Sequence, residues 1–217
     1  MKQNTLDPLH WRYAVKKFDP KKELPAEKLE RLKEAFNLTA TSYGLQPIRL
    51  VVLRHPELQR QLIAHSYGQP QVADASHVLV LCIENKVDHA YINAYFDRVQ
   101  EVRGTSEEIL EPYRRQLEKE FRRKSEEQIR TWATHQAYLA LGNLLTVCAF
   151  EKIDSCPMEG FDPEAYGRLL GLEQQGLSAV LVLPVGYRSG DDPFSGFPKV
   201  RRKLDQSVVI ISGDLND

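Results

Sequence analysis

Residues 132–150 read WATHQAYLALGNLLTVCAF, and the way this stretch has to be housed decides the fold. As a helix it is apolar on more than one side. Ala137, Leu141, Leu144 and Cys148 form one stripe, and Tyr138, Leu145 and Ala149 form another. A helix that is apolar all round is buried on all sides, inside a core or between two subunits. Gly142-Asn143 interrupts the run, which also falls short of the roughly 20 apolar residues of a membrane span. It is therefore read as the central helix of a soluble protein that makes no membrane contact. Beyond it the chain passes through residues 151–156 into Pro157-Met158-Glu159-Gly160-Phe161. Pro157 fixes its own φ, and Gly160 lets backbone approach a flat partner where a Cβ would stand in the way.

Composition frames that helix. The 217 residues are read as one domain spanning 1–217, long enough for a substantial core. Hydrophobic content of 42% with 27% charged residues excludes wholesale disorder. A net charge of -1 argues against nucleic acid as the main partner. Cys82 and Cys148 lie in apolar runs and read as buried thiols; with Cys156 they make three, which cannot all pair. No C-x-x-C spacing occurs and the six histidines are scattered, so no metal site is expected. The start, MKQNTLDPLHW, lacks the apolar core of a signal peptide, and a cytoplasmic location is expected.

On the N-terminal side, Asp7-Pro8 predicts an N-cap and first residue for a short helix ending near Arg12. If residues 12–18 are extended, Arg12, Ala14 and Lys16 share one face while Tyr13, Val15 and Lys17 share the other. Two cations flanking a small residue make either an anion-binding edge or a solvated basic strand, and the residues alone leave both open. Pro25 opens a second helix whose buried face is Leu29, Leu32, Phe36 and Leu38. The hydroxyl-rich loop 39–47, TATSYGLQP, follows. Strands are predicted at 48–53, at 76–83 (SHVLVLCI) and at 178–187 (SAVLVLPVGY), with a helix at 57–65. The run LVLC suits a strand covered on both faces.

Residues 88–130 turn polar and helical, with capping boxes predicted at Thr105-x-x-Glu108 and Ser125-x-x-Gln128. Cations between 114 and 124 alternate with Glu118 and Glu120 and read as a solvated face, so the excursion is expected to lie over a site as a flap. After the central helix, Asp162-Pro163 caps a helix that runs to Leu170 and stops at Gly171. A Gly/Pro/Asp loop at 189–198 leads into Lys199-Val200-Arg201-Arg202-Lys203, and a last short strand is expected at 208–211.

Several chemistries are excluded by what is missing. There is no G-x-G-x-x-G after a strand, no G-x-x-x-x-G-K-[ST] phosphate loop and no G-x-S-x-G elbow. His135 and Tyr138 could suggest acid–base work, but a histidine on a buried helix is usually a satisfied core residue, and His135 is read so. Cys156 has no general base nearby in sequence and is not read as a nucleophile. What remains is dispersed: Arg12 and Lys16, the 41–46 loop, the Pro-x-Glu-Gly loop at 157–160, and the basic 199–201 segment. This set suits a ligand with a phosphate at one end and an aromatic, hydrogen-bonding head at the other.

RYAVKKFD (12–19), TSYGLQP (41–47), DASHVLVLC (74–82), the 132–150 helix, PMEGFD (157–162) and PKVR (198–201) follow one another over some two hundred residues. In that order and spacing the chain resembles the oxygen-insensitive, FMN-dependent nitroreductases. The resemblance implies an α+β fold, a mainly antiparallel sheet wrapped by helices, in an interwoven homodimer. The central helix would line the interface, and the 208–211 strand would cross to the partner's sheet. It implies FMN bound at the interface, NADH or NADPH as electron donor, and nitroaromatics, quinones or related electron-poor small molecules as acceptors in ping-pong turnover.

By the same resemblance, Arg12, Lys199 and Arg201 hold the phosphate. Lys16 approaches the pyrimidine edge and stabilises the negative charge of the reduced ring. Backbone N–H groups of Glu159 and Gly160 face flavin N5 and O4, while Thr41, Ser42 and Gly44 come from the other subunit. Tyr13, Ala14, Gln69, Gln71, Pro157 and Met158 complete the cofactor-binding set. The chain departs from the family at Ala14, where Ser is common, and at Gly44, where Asn is common. Gln69 and Gln71 fall where Asn and Lys often touch the pyrimidine, so hydrogen bonding is kept and charge is lost. Rival readings are a flavin or enone reductase on the same scaffold, a non-catalytic FMN-binding protein, and an all-α interaction module on the 105–150 helices, against which the three strands count.

Overall fold

The computed structural model describes residues 4–211. Its centre follows from the apolar runs, which hide their side chains and satisfy their backbone groups together by pairing as strands. The strands β1 (Ile48–Leu53), β2 (His77–Glu84), β3 (Asp154–Ser155) and β4 (Leu177–Gly186) form one sheet in the order β1-β2-β4-β3. Every neighbouring pair is antiparallel, with Leu50 opposite Leu81 and Leu79 opposite Leu183. β2 is covered on both faces from His77 to Ile83, as its unbroken apolar run requires.

Alternation along the strands then builds two cores. Val78, Val80, Cys82 and Val182 point to a face covered by Leu62, Val72 and Tyr166. Leu79, Leu81, Ile83, Leu181 and Leu183 point to the opposite face, against Leu32, Ala133, Ala137, Ala140 and Leu144. The helices in chain order are α1 (Asp7–Trp11), α2 (Ala26–Asn37), α3 (Pro56–Leu62), α4 (Gln71–Asp74), α5 (His89–Arg103), α6 (Glu107–Arg122), α7 (Glu126–Phe150), α8 (Pro163–Leu170) and α9 (Leu204–Ser207). The first face carries α3, α4 and α8; the second carries α2 and α7. The expected 88–130 excursion is α5, α6 and the first turn of α7, closed over its own small core of Leu45, Ile92, Phe96, Leu117 and Phe121.

α7 is the helix of the opening stretch. It starts six residues earlier, at the capping box in which Ser125 and Gln128 exchange hydrogen bonds of 3.2 and 2.9 Å. Ala133, Ala137, Ala140, Leu141, Leu144 and Cys148 are buried against the sheet and α2. His135, Tyr138, Leu139 and Gly142, spaced as one helical stripe, are exposed in the single chain, as is Phe150. His135 is therefore not the core residue expected.

Other differences are local. Glu107 is the first residue of α6 and Ser106 its N-cap, with no side-chain cap bond, so the Thr105 capping box does not form. Asp7 lies inside α1 rather than capping it, Leu6 being the N-cap. Leu38 is 72% exposed because α2 ends at Asn37 and turns it outward. α3 stops at Leu62 and gives way to a 3-10 turn at Ala64–Ser66 rather than running on to 65. Residues 208–211 join no ladder of their own chain and are 49–96% exposed. No helix of the described residues is long and apolar enough to cross a membrane, and among them no cluster of His, Cys, Asp or Glu could hold a metal ion.

The contrast between the two capping signals is testable. Ser125→Ala removes a made cap and is expected to cost about 1 kcal/mol, whereas Thr105→Ala should be close to neutral. Urea unfolding midpoints of the two variants check this.

Candidate functional site

Residues 12–18 lie beside β3. Ala14 bridges Ser155 in parallel, the Val15 amide donates to the Ser155 carbonyl at 3.2 Å, and Phe18 bridges Arg188. Val15 and Phe18 are buried beneath, which turns Arg12, Ala14 and Lys16 toward a cleft of about 310 Å³. Lys199 and Arg201 face them from the other wall. The anion-binding edge and the basic 199–201 segment, remote in sequence, are thus one surface. Arg12 and Lys16 are partly buried, unlike the side chains of a solvated basic strand.

The cations in this cleft are not at ease with one another. Burial, then the charge of Arg201, lowers the pKa of Arg12. Burial, then Arg12, Arg201 and Arg188, lowers that of Lys199. Lys199 spends its ammonium on the Arg12 carbonyl, and the buried Nε of Arg12 has no acceptor. Crowded, half-desolvated cations with an orphaned donor are the arrangement an anion relieves.

Arg188, the nearby cation, is already committed. Its Nε and backbone N–H each donate to the buried Asp154 carboxylate at 2.8 Å. Its guanidinium stacks between Trp11 (4.5 Å) and Tyr13 (4.4 Å), and Lys152 lies 4.7 Å from the Trp11 ring centre. Burial pushes the Tyr13 phenol up to about 12, so it stays protonated. Tyr13 lines the cleft, so this stack forms part of its floor.

At the other end Lys16 Nζ lies 3.9 Å from Cys156 Sγ. Gln71 packs beside the same thiol; it is 4% exposed, and its Oε1 accepts nothing. Burial raises the Cys156 pKa more than Lys16 lowers it, an environment that suits a packed thiol better than a nucleophile. Met158 exchanges two hydrogen bonds with Val182, at 2.8 and 3.0 Å, so the backbone is tied down as far as Met158. It is then released: among the described residues the Glu159 and Gly160 amides donate to no acceptor. A Cβ on Gly160 would stand 3.2 Å from Gln69 Nε2 and 3.5 Å from the Tyr67 ring, and Gln69 itself donates to the Gly160 carbonyl at 3.0 Å. The Glu159 carboxylate accepts from the Tyr138 hydroxyl at 2.7 Å. Tyr138 thus does face the site, though its partner is Glu159 and not His135.

The 41–44 loop sits elsewhere in its own chain. The Ser42 amide donates to Gln136 at 2.9 Å, Tyr43 donates to Glu120 at 2.8 Å, and Gly44, at φ +74°, lies so close to Tyr95 that a Cβ would meet its hydroxyl at 2.7 Å. One chain therefore gathers Arg12, Tyr13, Ala14, Lys16, Lys199 and Arg201 in the cleft. Gln71 and the 157–160 loop lie next to Lys16, and Gln69 supports that loop. Thr41, Ser42 and Gly44 are not brought in.

Asp154, Arg188 and Asp192 escaped the sequence reading. Asp192 is 3% exposed and accepts from the Lys16, Lys17 and Phe194 amides at 2.8, 2.9 and 2.8 Å. Nothing in the run Gly190-Asp191-Asp192-Pro193 separates it from the exposed Asp191.

Fold and cleft together define an α+β protein with a cationic cleft suited to an anionic group. The Nitroreductase family profile matches residues 9–187, and the chain belongs to that family. A Staphylococcus aureus (strain bovine RF122 / ET3-1) relative, named "Putative NAD(P)H nitroreductase", is 34% identical over 203 residues, 89% of this chain and 90% of its own. A nitroreductase-like protein of Streptococcus mutans superimposes with a TM-score of 0.85 at 26% identity, covering 98% of this chain and 100% of that one. A protein from Exiguobacterium sibiricum 255-15, named "putative nitroreductase" and solved in complex with FMN, shares the fold at TM-score 0.83 and 18% identity, covering 97% of this chain and 99% of that one.

The floor of the cleft can be tested by stability. Asp154→Ala leaves Arg188 stacked between two rings without its counter-charge. The expected loss is about 2 kcal/mol, below the range for full burial because Arg188 keeps some contact with water. It should show as a lower urea midpoint at unchanged slope.

Proposed function

We propose that this chain is an FMN-dependent oxidoreductase that passes hydride from NADH or NADPH to small electron-poor acceptors such as nitroaromatics and quinones. The observation that carries this reading is the convergence of Arg12, Lys199 and Arg201 in one cleft, where burial and neighbouring cations lower the pKa values of Arg12 and Lys199 and the Arg12 Nε is orphaned. Beyond the cleft, past Cys156 beside Lys16, lie the Gln71 Oε1, which accepts nothing, and the loop whose Glu159 and Gly160 amides meet no acceptor among the described residues. These groups suit FMN: cations for a phosphate, amide donors and a carbonyl acceptor for the edge of a flat ring. Bound FMN would supply the redox chemistry, taking hydride at N5 from the nicotinamide and passing two electrons to the acceptor in alternate turns.

The protein's own groups do the rest. Arg12, Lys199 and Arg201 hold the anion. Lys16, braced on Cys156, favours negative charge on the head group by a cation already in place. Met158, locked to Val182, and Glu159, held by Tyr138, fix the loop so that its two amides point from a rigid support. Ala14 adds no hydroxyl and Gln71 no charge, so the bias toward the reduced ring falls mainly on Lys16.

The same reading takes the protein as a cytoplasmic homodimer of one-domain chains. The open stripe of Tyr138, Leu139 and Gly142 on α7 suits a second copy packed about a twofold axis. β1 leaves one edge unpaired beside a groove of about 810 Å³ toward α2 and α5, while the apolar 208–211 segment lies exposed. We infer that this segment of one chain adds to β1 of the other and that the 41–44 loop joins the partner's cleft.

The purified protein is expected to be yellow and to lose its visible absorbance under anaerobic NADH or NADPH. Flavin that stays oxidised would make it a binding protein instead, and rates against nitro, quinone, flavin and enone acceptors separate the reductase classes. Arg201→Ala should weaken FMN binding roughly 10–100-fold, seen as flavin lost on desalting.

Lys199 adds a pH dependence. Its pKa is lowered in the free protein, and a phosphate favours the charged ammonium, so binding raises it again. Affinity is then flat below the lowered pKa and falls as pH rises through it, with proton uptake on binding in that window. Calorimetry at about pH 9, below the usual lysine range, in two buffers of different ionisation enthalpy should detect the uptake. Lys199→Arg should abolish it while keeping the charge.

A further inference from the structure

We propose that Asp192 is the positioning residue that sets the phosphate-holding segment in register with the backbone carrying Lys16. The inference rests on the FMN reading above and goes beyond it. Asp192 belongs to a turn-rich loop, yet its side chain is 3% exposed. A carboxylate is costly to bury unless charge-assisted hydrogen bonds replace its water. Three do so here. Oδ2 accepts from the Lys16 and Lys17 amides at 2.8 and 2.9 Å, and Oδ1 accepts from the Phe194 amide at 2.8 Å.

One rigid group therefore spans two segments of opposite duty. On one side is the backbone of Lys16, which reaches the head end of the cleft. On the other is Phe194, packed edge-to-face on Phe197 at 5.4 Å, from which Pro198 leads directly to Lys199 and Arg201. Besides the Lys199 ammonium on the Arg12 carbonyl, a side-chain contact inside the cleft itself, two further ties join these segments: the Ser189 amide donates to the Lys17 carbonyl at 2.9 Å, and Lys17 pairs with Asp191. The first lies before the turn, and the second is exposed at both ends, where ion pairs contribute little. A carboxylate would repel a phosphate, so Asp192 is not itself a ligand. It acts through Lys16 on one side and Lys199 and Arg201 on the other.

The test compares FMN with riboflavin, which carries the same ring without the phosphate. Flavin fluorescence titrations of the apoprotein give both affinities, and their ratio measures what the phosphate end contributes. Asp192→Asn keeps size, and its carbonyl can still accept from Lys16 and Lys17, but it turns an N–H₂ toward the Phe194 amide and so releases the phosphate segment. The ratio is expected to fall about 10-fold, with riboflavin affinity within about twofold of the parent. Asp192→Glu keeps the charge but shifts it by one methylene; should Asp192→Asn not fold, the same loss of ratio is expected there. A folded variant with an unchanged ratio overturns the proposal. So does a parallel fall of both affinities, which a purely structural role would give. A parent that prefers FMN no more than riboflavin would instead bring down the phosphate assignment on which the proposal rests.

Discussion

Everything in this molecule depends on how closely α7 can approach β2 and β4. The helix presents Ala133, Ala137 and Ala140 to the sheet, and the sheet presents Leu79, Leu81, Leu181 and Leu183 in return. Small side chains on the helix meet branched ones on the strands, which lets the two surfaces approach closely. Because that face of α7 is spent on its own sheet, the stripe of Tyr138, Leu139 and Gly142 is left open, whereas Leu145 and Ala149, read with Tyr138 as the second apolar stripe, turn inward. The same placement puts Tyr138 beside Glu159 and Gln136 beside Ser42. A core helix thereby orients both the 157–160 loop and the 41–44 loop.

β1, β2 and β4 were legible because their signal is local, an apolar run of the right length. The two-residue β3 carries no such run and was missed, and the apolar 208–211 segment, expected as a strand, joins no ladder of its own chain. The Asp162 cap and the Gly171 stop of α8 were legible for the same reason, since capping is decided within a few residues. Signals that compete locally went the other way. Thr105 and Ser106 are both capping residues, and the chain enters α6 at Ser106. His135 was assigned to the core from the apolarity of its neighbours, but a helix buried on one stripe within its own chain leaves the other to a partner or to water.

At the site, the residue types of Arg12, Lys16, Lys199 and Arg201 were visible and their convergence was not, because closing 187 residues between Arg12 and Lys199 is a property of the whole fold. Only the likeness to a known family brought these dispersed pieces together in advance. The supports stayed invisible for the same reason. Asp154 meets Arg188 across 34 positions, and Asp192 meets Lys16 across 176. Nothing in Ser-Gly-Asp-Asp-Pro marks which aspartate will be buried.

The two ends of the cleft divide their work by how charge behaves in the proposed reaction. The phosphate of a bound cofactor keeps its charge through turnover. Cations there can be as crowded as Arg12, Lys199 and Arg201 without favouring one redox state through their direct contacts. Mutual repulsion makes that end unstable when empty and correspondingly receptive to an anion. At the head end charge comes and goes, so each fixed charge biases the equilibrium between states. There the chain places neutral donors, the Glu159 and Gly160 amides, a neutral acceptor, Gln71, and the single nearby ammonium of Lys16. A cation in place of Gln71 would add directly to the effect of Lys16 at short range, where a partly desolvated site screens little. In the proposed reaction affinity would thus be concentrated at the phosphate end, and Lys16 would favour the reduced ring at the other. That division also explains why a device such as Asp192, which holds the two ends in register while touching neither the phosphate nor the ring, fits the architecture.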